Sequence, residues 1–235
     1  MLSYSACSDF YKCPYLFQIR DDLKVYTTPA MTLGAGFDTM MNAVMLSMHK
    51  DKDFAKQRGI ELGISEMLMK IADAGDVCEM FDIPRAAKEW FIDFKLSELE
   101  VVDVQHHFIL DELDFHGYID GIVKDRDGNL IVIENKTTSK FYDGYFSNKK
   151  NSYQGISYAV AMNTNLVRYQ FFNTKNMIEY ATASRFITPE DVDEFTKWVA
   201  FVRDNQKVDV KNFEHCSLNN CFGKDMCIYE RDSVS

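Results

Sequence analysis

HGYIDGIVKDRDGNLIVIENK, residues 116–136, reads as a β-hairpin. Tyr118, Ile119, Ile122 and Val123 supply β-forming side chains on the way up, and Leu130 to Ile133 supply them on the way down. Asp125-Arg126-Asp127-Gly128 forms the turn, with Gly128 suited to a positive φ. Side chains alternate along a strand, so Glu134 and Lys136 share one face and Asn135 points to the other. A three-residue loop, Arg126-Asp127-Gly128, sets Asp120 directly opposite Glu134; a two-residue loop sets it across from Asn135. The three-residue loop is the expectation. It brings two carboxylates and one ammonium together at the rim of a sheet.

That grouping has the layout of a hydrolytic metal site. Two neighbouring carboxylates repel unless a cation lies between them, and hard oxygen donors suit Mg²⁺ or Mn²⁺. Such a metal activates a water and offsets phosphate charge, while a lysine stabilises the attacking hydroxide or the developing charge. The bland alternative is a hairpin with ordinary rim charges and a surface lysine.

The rest of the chain sets the context. At 235 residues, one domain with a sizeable core is expected. A hydrophobic content of 46% marks a globular chain. The net charge of −10 argues against a broad basic nucleic-acid surface but leaves room for a local groove. The sequence contains no apolar run of about 18 residues, so no membrane association is expected. It has no P-loop, repeat or low-complexity segment. The start, MLSYSACSDFYKC, lacks the pattern of a signal peptide, which makes the cytoplasm the expected location. There, six cysteines read as thiols or metal ligands rather than disulfides.

Ser5 is expected to cap a short helix and Pro14 to open the next. Residues 31–50 show an apolar stripe at helical spacing through Leu33, Phe37, Met40, Met41, Val44 and Met48. Asp38 lies within it and should have a cation, a partner or an exposed position. Residues 51–99 look mostly helical, and Val101 to Leu110 reads as a strand with structural or solvent-facing His106 and His107. Past the hairpin, an exposed polar stretch runs to Asn151, with Lys149 and Lys150 either solvated or contacting phosphates. Residues 152–163 read as a helix with Gln154 and Tyr158 on one face. Val167 to Asn173 and Ile178 to Ala183 read as a second hairpin, and Thr188-Pro189-Glu190-Asp191 starts a helix to about Gln206. Cys216, Cys221 and Cys227 cluster in the tail as C-x4-C-x5-C. With Cys13 as a fourth thiolate they suit an iron–sulfur cluster or zinc. Cys7 and Cys78 read as structural.

These motifs together resemble the RecB-like branch of the PD-(D/E)XK nuclease superfamily: the nuclease domains of RecB and AddB, CRISPR-associated RecB-like nucleases and phage-encoded relatives. The resemblance rests on Ser5 to Phe17 with Cys13-Pro14, on Gly34 to Asp38, and on Gly117-Tyr118-Ile119-Asp120. It extends through Ile133-Glu134-Asn135-Lys136-Thr137, Gln154-x-x-x-Tyr158 and the terminal cysteines. It implies an α/β fold with a restriction-endonuclease-like core, a mixed central sheet flanked by helices, and a cysteine cluster joining the two ends. One domain would span 1–235, with its catalytic core at 100–185 and a staple formed by 1–30 and 207–235. The implied activity is metal-dependent DNA cleavage, as an exonuclease in DNA processing, repair or recombination. Asp38, Asp120, Glu134 and the Asn135 carbonyl would hold Mg²⁺ or Mn²⁺, with Lys136 assisting the water. Many members of the branch carry histidine where this chain has Asp38. Gln154, Tyr158 and Thr137 would line the site and contact DNA. Cys13, Cys216, Cys221 and Cys227 would hold a 4Fe–4S cluster, or Zn²⁺ as the alternative. DNA is the implied partner, with helicase, recombination or CRISPR proteins as further ones, in a host cytoplasm if the gene is phage-encoded. The competing expectation is a non-catalytic DNA-binding or assembly subunit that retains the fold.

Overall fold

The computed structural model describes residues 1–19, 34–35, 37–38, 41–42, 45–46, 99–138, 140–173 and 180–207. Strands β1 (Glu100–Leu110), β2 (Phe115–Lys124), β3 (Leu130–Thr138), β4 (Leu166–Asn173) and β5 (Tyr180–Phe186) form one sheet in the order β1-β2-β3-β4-β5. The helices are α1 (Tyr4–Lys12), α2 (Pro14–Gln18), α3 (Asp143–Lys150), α4 (Tyr153–Met162) and α5 (Pro189–Asp204). Residues 34–35, 37–38, 41–42 and 45–46 are also helical. The sheet is mixed: β2–β3 and β4–β5 pair antiparallel, and β3–β4 pair parallel. A parallel pair needs a crossover, and α3 with α4 supplies it.

The chain divides into two compact units. One comprises Met1–Thr27, Ile109–His116 and Asp193–Ser235; the other comprises Thr28–Phe108 and Gly117–Val192. In the larger unit the hairpin has the three-residue loop. Its register runs from Lys124↔Leu130 to Gly121↔Ile133, and Asp120 and Glu134 are the next residues along the two strands. The Asp125 N–H donates to the Asn129 carbonyl and the Gly128 N–H to the Asp125 carbonyl, with Gly128 at φ 82°. The Asp125 carboxylate accepts from the backbone N–H of Asp127 and Asn129 and from Asn129 Nδ2. These bonds lower its pKa, led by the Asn129 side chain.

Side chains from the helices pack on both faces of the sheet's centre. On one face lie Glu134, Lys136 and Thr138 of β3 beside Tyr169, Phe171 and Asn173 of β4. Gly155 of α4 packs so closely on Tyr169 that a Cβ there would overlap the phenol oxygen, and Phe146 of α3 stacks on Phe171 at 4.5 Å. On the other face, Phe37 lies 4.5 Å from Phe172 and Met45 covers Gly121. Phe37, Met41 and Met45 are fully buried, as the sequence stripe requires for the first two positions.

The smaller unit joins the chain's beginning to α5. Leu2 bridges Phe115 through Leu2 N–H to the Asp114 carbonyl (2.7 Å) and His116 N–H to the Leu2 carbonyl (2.8 Å). Phe115 meets Phe195 edge-on, Tyr11 stacks on Trp198, and Phe10 contacts Phe201. Cys13 is buried at the junction of α1 and α2, and Pro14 opens α2.

Three local expectations need correction. Ser3, not Ser5, caps α1: its hydroxyl accepts from Ala6 N–H, while Ser5 is already inside the helix. The polar stretch before Asn151 is not all loop, because α3 forms at Asp143–Lys150. Its ring at Phe146 gains the buried Phe171 as a partner, and that contact outweighs a polar composition. The second hairpin's return strand, expected at Ile178 to Ala183, is described from Tyr180 and runs on to Phe186, in register from Leu166↔Phe186 to Phe172↔Tyr180, while residues 178–179 lie outside the described residues. Cys78, Cys216, Cys221 and Cys227 lie outside the described residues, as does most of 51–99.

Candidate active site

The hairpin and the parallel strand beside it bury an acid that an isolated hairpin would leave wet. Glu134 stands between β2 and β4, opposite Asp120 on one side and beside Tyr169 on the other, and it is 0% exposed. Lys136, two residues on and on the same face, places Nζ against Glu134 Oε1. Asp120 Oδ2 accepts the Asn135 backbone N–H at 2.7 Å, which fixes that carboxylate to the neighbouring strand. Gln154 Nε2, on the first turn of α4, donates to the Tyr158 hydroxyl at 2.9 Å, and the Tyr158 phenol lies within electrostatic reach of Glu134. The helical spacing of four brings Gln154 and Tyr158 onto one face, as the sequence indicates.

Electrostatics make Asp120 the strained member. Burial first, then the Glu134 charge, hold its carboxyl well above the ordinary range; Lys136 opposes them, and Asp38 adds to the rise. Burial works to lower Lys136, but Glu134, then Asp120, with Asp38 helping, outweigh it and keep the ammonium charged. Burial, then Glu134 and Asp120, push the Tyr158 phenol up, so it stays a neutral donor. One ammonium faces three carboxylates that act on one another. That imbalance, with oxygen as the donor type throughout, fits a hard divalent cation. Among the described residues, however, no three carboxylate, histidine or thiol side chains already form a cage. Lys136 occupies the counter-charge position on Glu134.

The structure therefore brings together Asp120, Glu134, Lys136, Gln154 and Tyr158. Asp38, half-buried on a helix, acts on Asp120 and Lys136 through its charge. Thr137 is placed elsewhere. It alternates to the opposite face of β3, where its Oγ1 is 3.3 Å from the position of a Cβ on Gly34. The Asn135 side chain is on that face too, 4% exposed and in register with Gln170, which is 2% exposed. Asn135 Oδ1 and Nδ2 and Gln170 Oε1 have no hydrogen-bond partner among the described residues. Sequence reasoning missed this buried amide pair, because only the parallel register of β3 with β4 reveals it.

A family model described as the PD-(D/E)XK nuclease superfamily matches residues 1–231. Among solved structures, the one titled "Crystal structure of SSO0001" is 15% identical, covering 82% of this chain and 84% of its own at a TM-score of 0.41. An alkaline exonuclease, LHK-Exo, from Laribacter hongkongensis is 13% identical, with coverage of 71% and 86% and a TM-score of 0.40. LHK-Exo in complex with dAMP is 12% identical, with coverage of 73% and 91% and a TM-score of 0.35. No curated protein matches the chain.

Proposed function

The chain belongs to the PD-(D/E)XK nuclease superfamily, and on that premise we propose that it is a metal-dependent deoxyribonuclease of the RecB-like branch. It acts as an exonuclease on DNA in processing, repair or recombination. The observation that carries this reading is the fully buried Glu134 paired with Lys136 and set opposite Asp120. A surface hairpin has no use for a desolvated carboxylate and ammonium, whereas a hydrolytic site does.

Asp120, Glu134 and the Asn135 carbonyl, with Asp38 from the neighbouring helix, are the proposed donors for Mg²⁺ or Mn²⁺. The bound cation supplies positive charge against the phosphate and lowers the pKa of water. Lys136, kept charged by Glu134 and Asp120, holds the attacking oxygen and stabilises charge building on the phosphate. Tyr158, neutral and anchored by Gln154, lines the site beside Glu134. The proposed setting is the cytoplasm, with helicase, recombination or CRISPR proteins as partners. Cys13 with Cys216, Cys221 and Cys227 is proposed to hold a 4Fe–4S cluster, with zinc as the alternative.

The test uses linear and circular DNA, single- and double-stranded, end-labelled, with Mg²⁺, Mn²⁺ or EDTA. The expected result is metal-dependent release of short products from linear ends. Asp120→Ala, Glu134→Ala and Lys136→Ala should each lower the rate by about 10²-fold or more. Cleavage by Lys136→Ala at the wild-type rate refutes the assignment.

A further inference from the structure

We propose that Tyr118 and His107 form a stacking platform for a nucleobase of single-stranded or frayed DNA, beside the site at Asp120. This inference rests on the nuclease reading and names how that site holds its substrate. Tyr118 is 55% exposed on a strand whose apolar side chains, Phe115, Ile119, Ile122 and Val123, are almost wholly buried. Its ring lies 4.7 Å from that of the exposed His107 on the neighbouring strand, tilted by 37°. Tyr118 precedes Asp120 by two residues on β2. The two positions are about 7 Å apart. That is roughly the reach from a phosphate across its sugar to a base, so a phosphate at the carboxylates leaves a base over the rings.

The platform is also tied to the site. Gly117, the preceding residue, lies against Phe108, such that a Cβ would sit 2.8 Å from two ring carbons. Phe108 in turn meets Tyr158 edge-on at 5.9 Å. One run of contacts therefore joins the strand carrying Tyr118 to Tyr158, whose phenol feels the Glu134 charge.

Charge makes such a contact necessary. The chain carries −10, and Asp38, Asp120 and Glu134 surround the place where a phosphate must come. Affinity through phosphate neutralisation and counterion release is correspondingly weak. Stacking on an aromatic face is indifferent to salt and to base identity, because every base has a π-face. Tyr118 loses little rotamer freedom when it binds, having two side-chain torsions and a neighbour already in contact. Bases paired within a duplex do not offer a free face, so the platform selects unpaired strands or opened ends.

The experiment measures binding of a single-stranded oligodeoxynucleotide containing 2-aminopurine, with EDTA present to prevent metal-dependent cleavage. Wild-type protein should quench the fluorescence. Tyr118→Ala should lose the quench and bind about 5- to 100-fold more weakly. Tyr118→Phe should retain both, and His107→Ala should fall between. The slope of log Kd against log salt should be the same for Tyr118→Ala and wild type, since no phosphate contact is removed. Wild-type affinity and quenching in Tyr118→Ala overturn the platform, as does a wild type that cleaves DNA but never quenches. Absence of cleavage by the wild type on every substrate refutes the nuclease reading itself, so the two failures are distinguishable.

Discussion

Gly155→Ala should destabilise the protein, although alanine is the better helix former. In an open helix the change gains about 1 kcal/mol. Here the new methyl would overlap the Tyr169 hydroxyl, come within 2.8 Å of Tyr169 Cζ, and sit 3.1 Å from Val167 Cγ1. Tyr169 is 0% exposed and lies parallel to Phe171, so its ring has no solvent to swing into. Overpacking of this kind costs roughly 1–3 kcal/mol and sometimes more. An overlap this severe takes the upper end of that range, about 3 kcal/mol, so the net loss should be about 2 kcal/mol, or about 4–8 °C in Tm for a chain of this length. Circular dichroism melts of wild type, Gly155→Ala, Tyr169→Phe and the double variant form the assay. Tyr169→Phe removes the overlapping oxygen, so the double variant should recover about 1 kcal/mol relative to the sum of the singles. A Tm that rises in Gly155→Ala, or strict additivity in the double variant, would refute the packing argument. Gly121→Ala is the contrasting case. Its Cβ would meet mainly the flexible end of Met45, so the cost should stay below about 1 kcal/mol.

Gly128→Val should cost about 1–2 kcal/mol, since φ 82° suits glycine and disfavours a β-branched residue; Gly128→Asn should be milder, and urea midpoints decide. The α5 start gives a pH-dependent case. Burial works to raise the Asp191 carboxyl, but the Thr188 backbone N–H, the Arg185 guanidinium and the Thr188 hydroxyl outweigh it, and the net pKa is lowered. Its contribution is therefore full above the unfolded value near ~3.9 and is lost as pH falls through the depressed folded value. Asp191→Asn should cost about 1–2 kcal/mol at neutral pH and flatten the acid limb of a Tm-versus-pH curve; an unchanged limb would refute the capping role.

The hairpin was legible because two signals agreed, period-two alternation and a turn whose residues specify its length. Asp125 and Gly128 fix the loop, the loop fixes the register, and the register sets Asp120 opposite Glu134. The start of α5 was legible for the same reason: Thr188 and Asp191 exchange bonds three residues apart. What stayed hidden depended on partners distant in sequence. The helix α3 looked polar because only Phe146 finds a buried ring, on a strand beyond α4. The Asn135–Gln170 pair follows from a parallel register that a crossover sets and that no local pattern encodes. Thr137 drew attention through its place in a motif, while the alternation that puts Glu134 and Lys136 together turns it away.

The parallel pairing of β3 with β4 also orders the events of folding. The Asp120–Asn135 bond closes a separation of 15 residues, whereas the Thr164 hydroxyl reaches the Leu130 carbonyl across 34. The longer closure costs ~0.7 kcal/mol more by chain entropy alone, before the two crossover helices are ordered. The hairpin can therefore form first, with Glu134 and Lys136 in water, where their attraction is weak. Only when β4 and α4 dock is the acid sealed between Asp120, Tyr158 and Tyr169. Shedding water from the groups that give the site its chemistry thus falls in the late, long-range step of assembly, and the speed of that step is bound to the charges the site keeps.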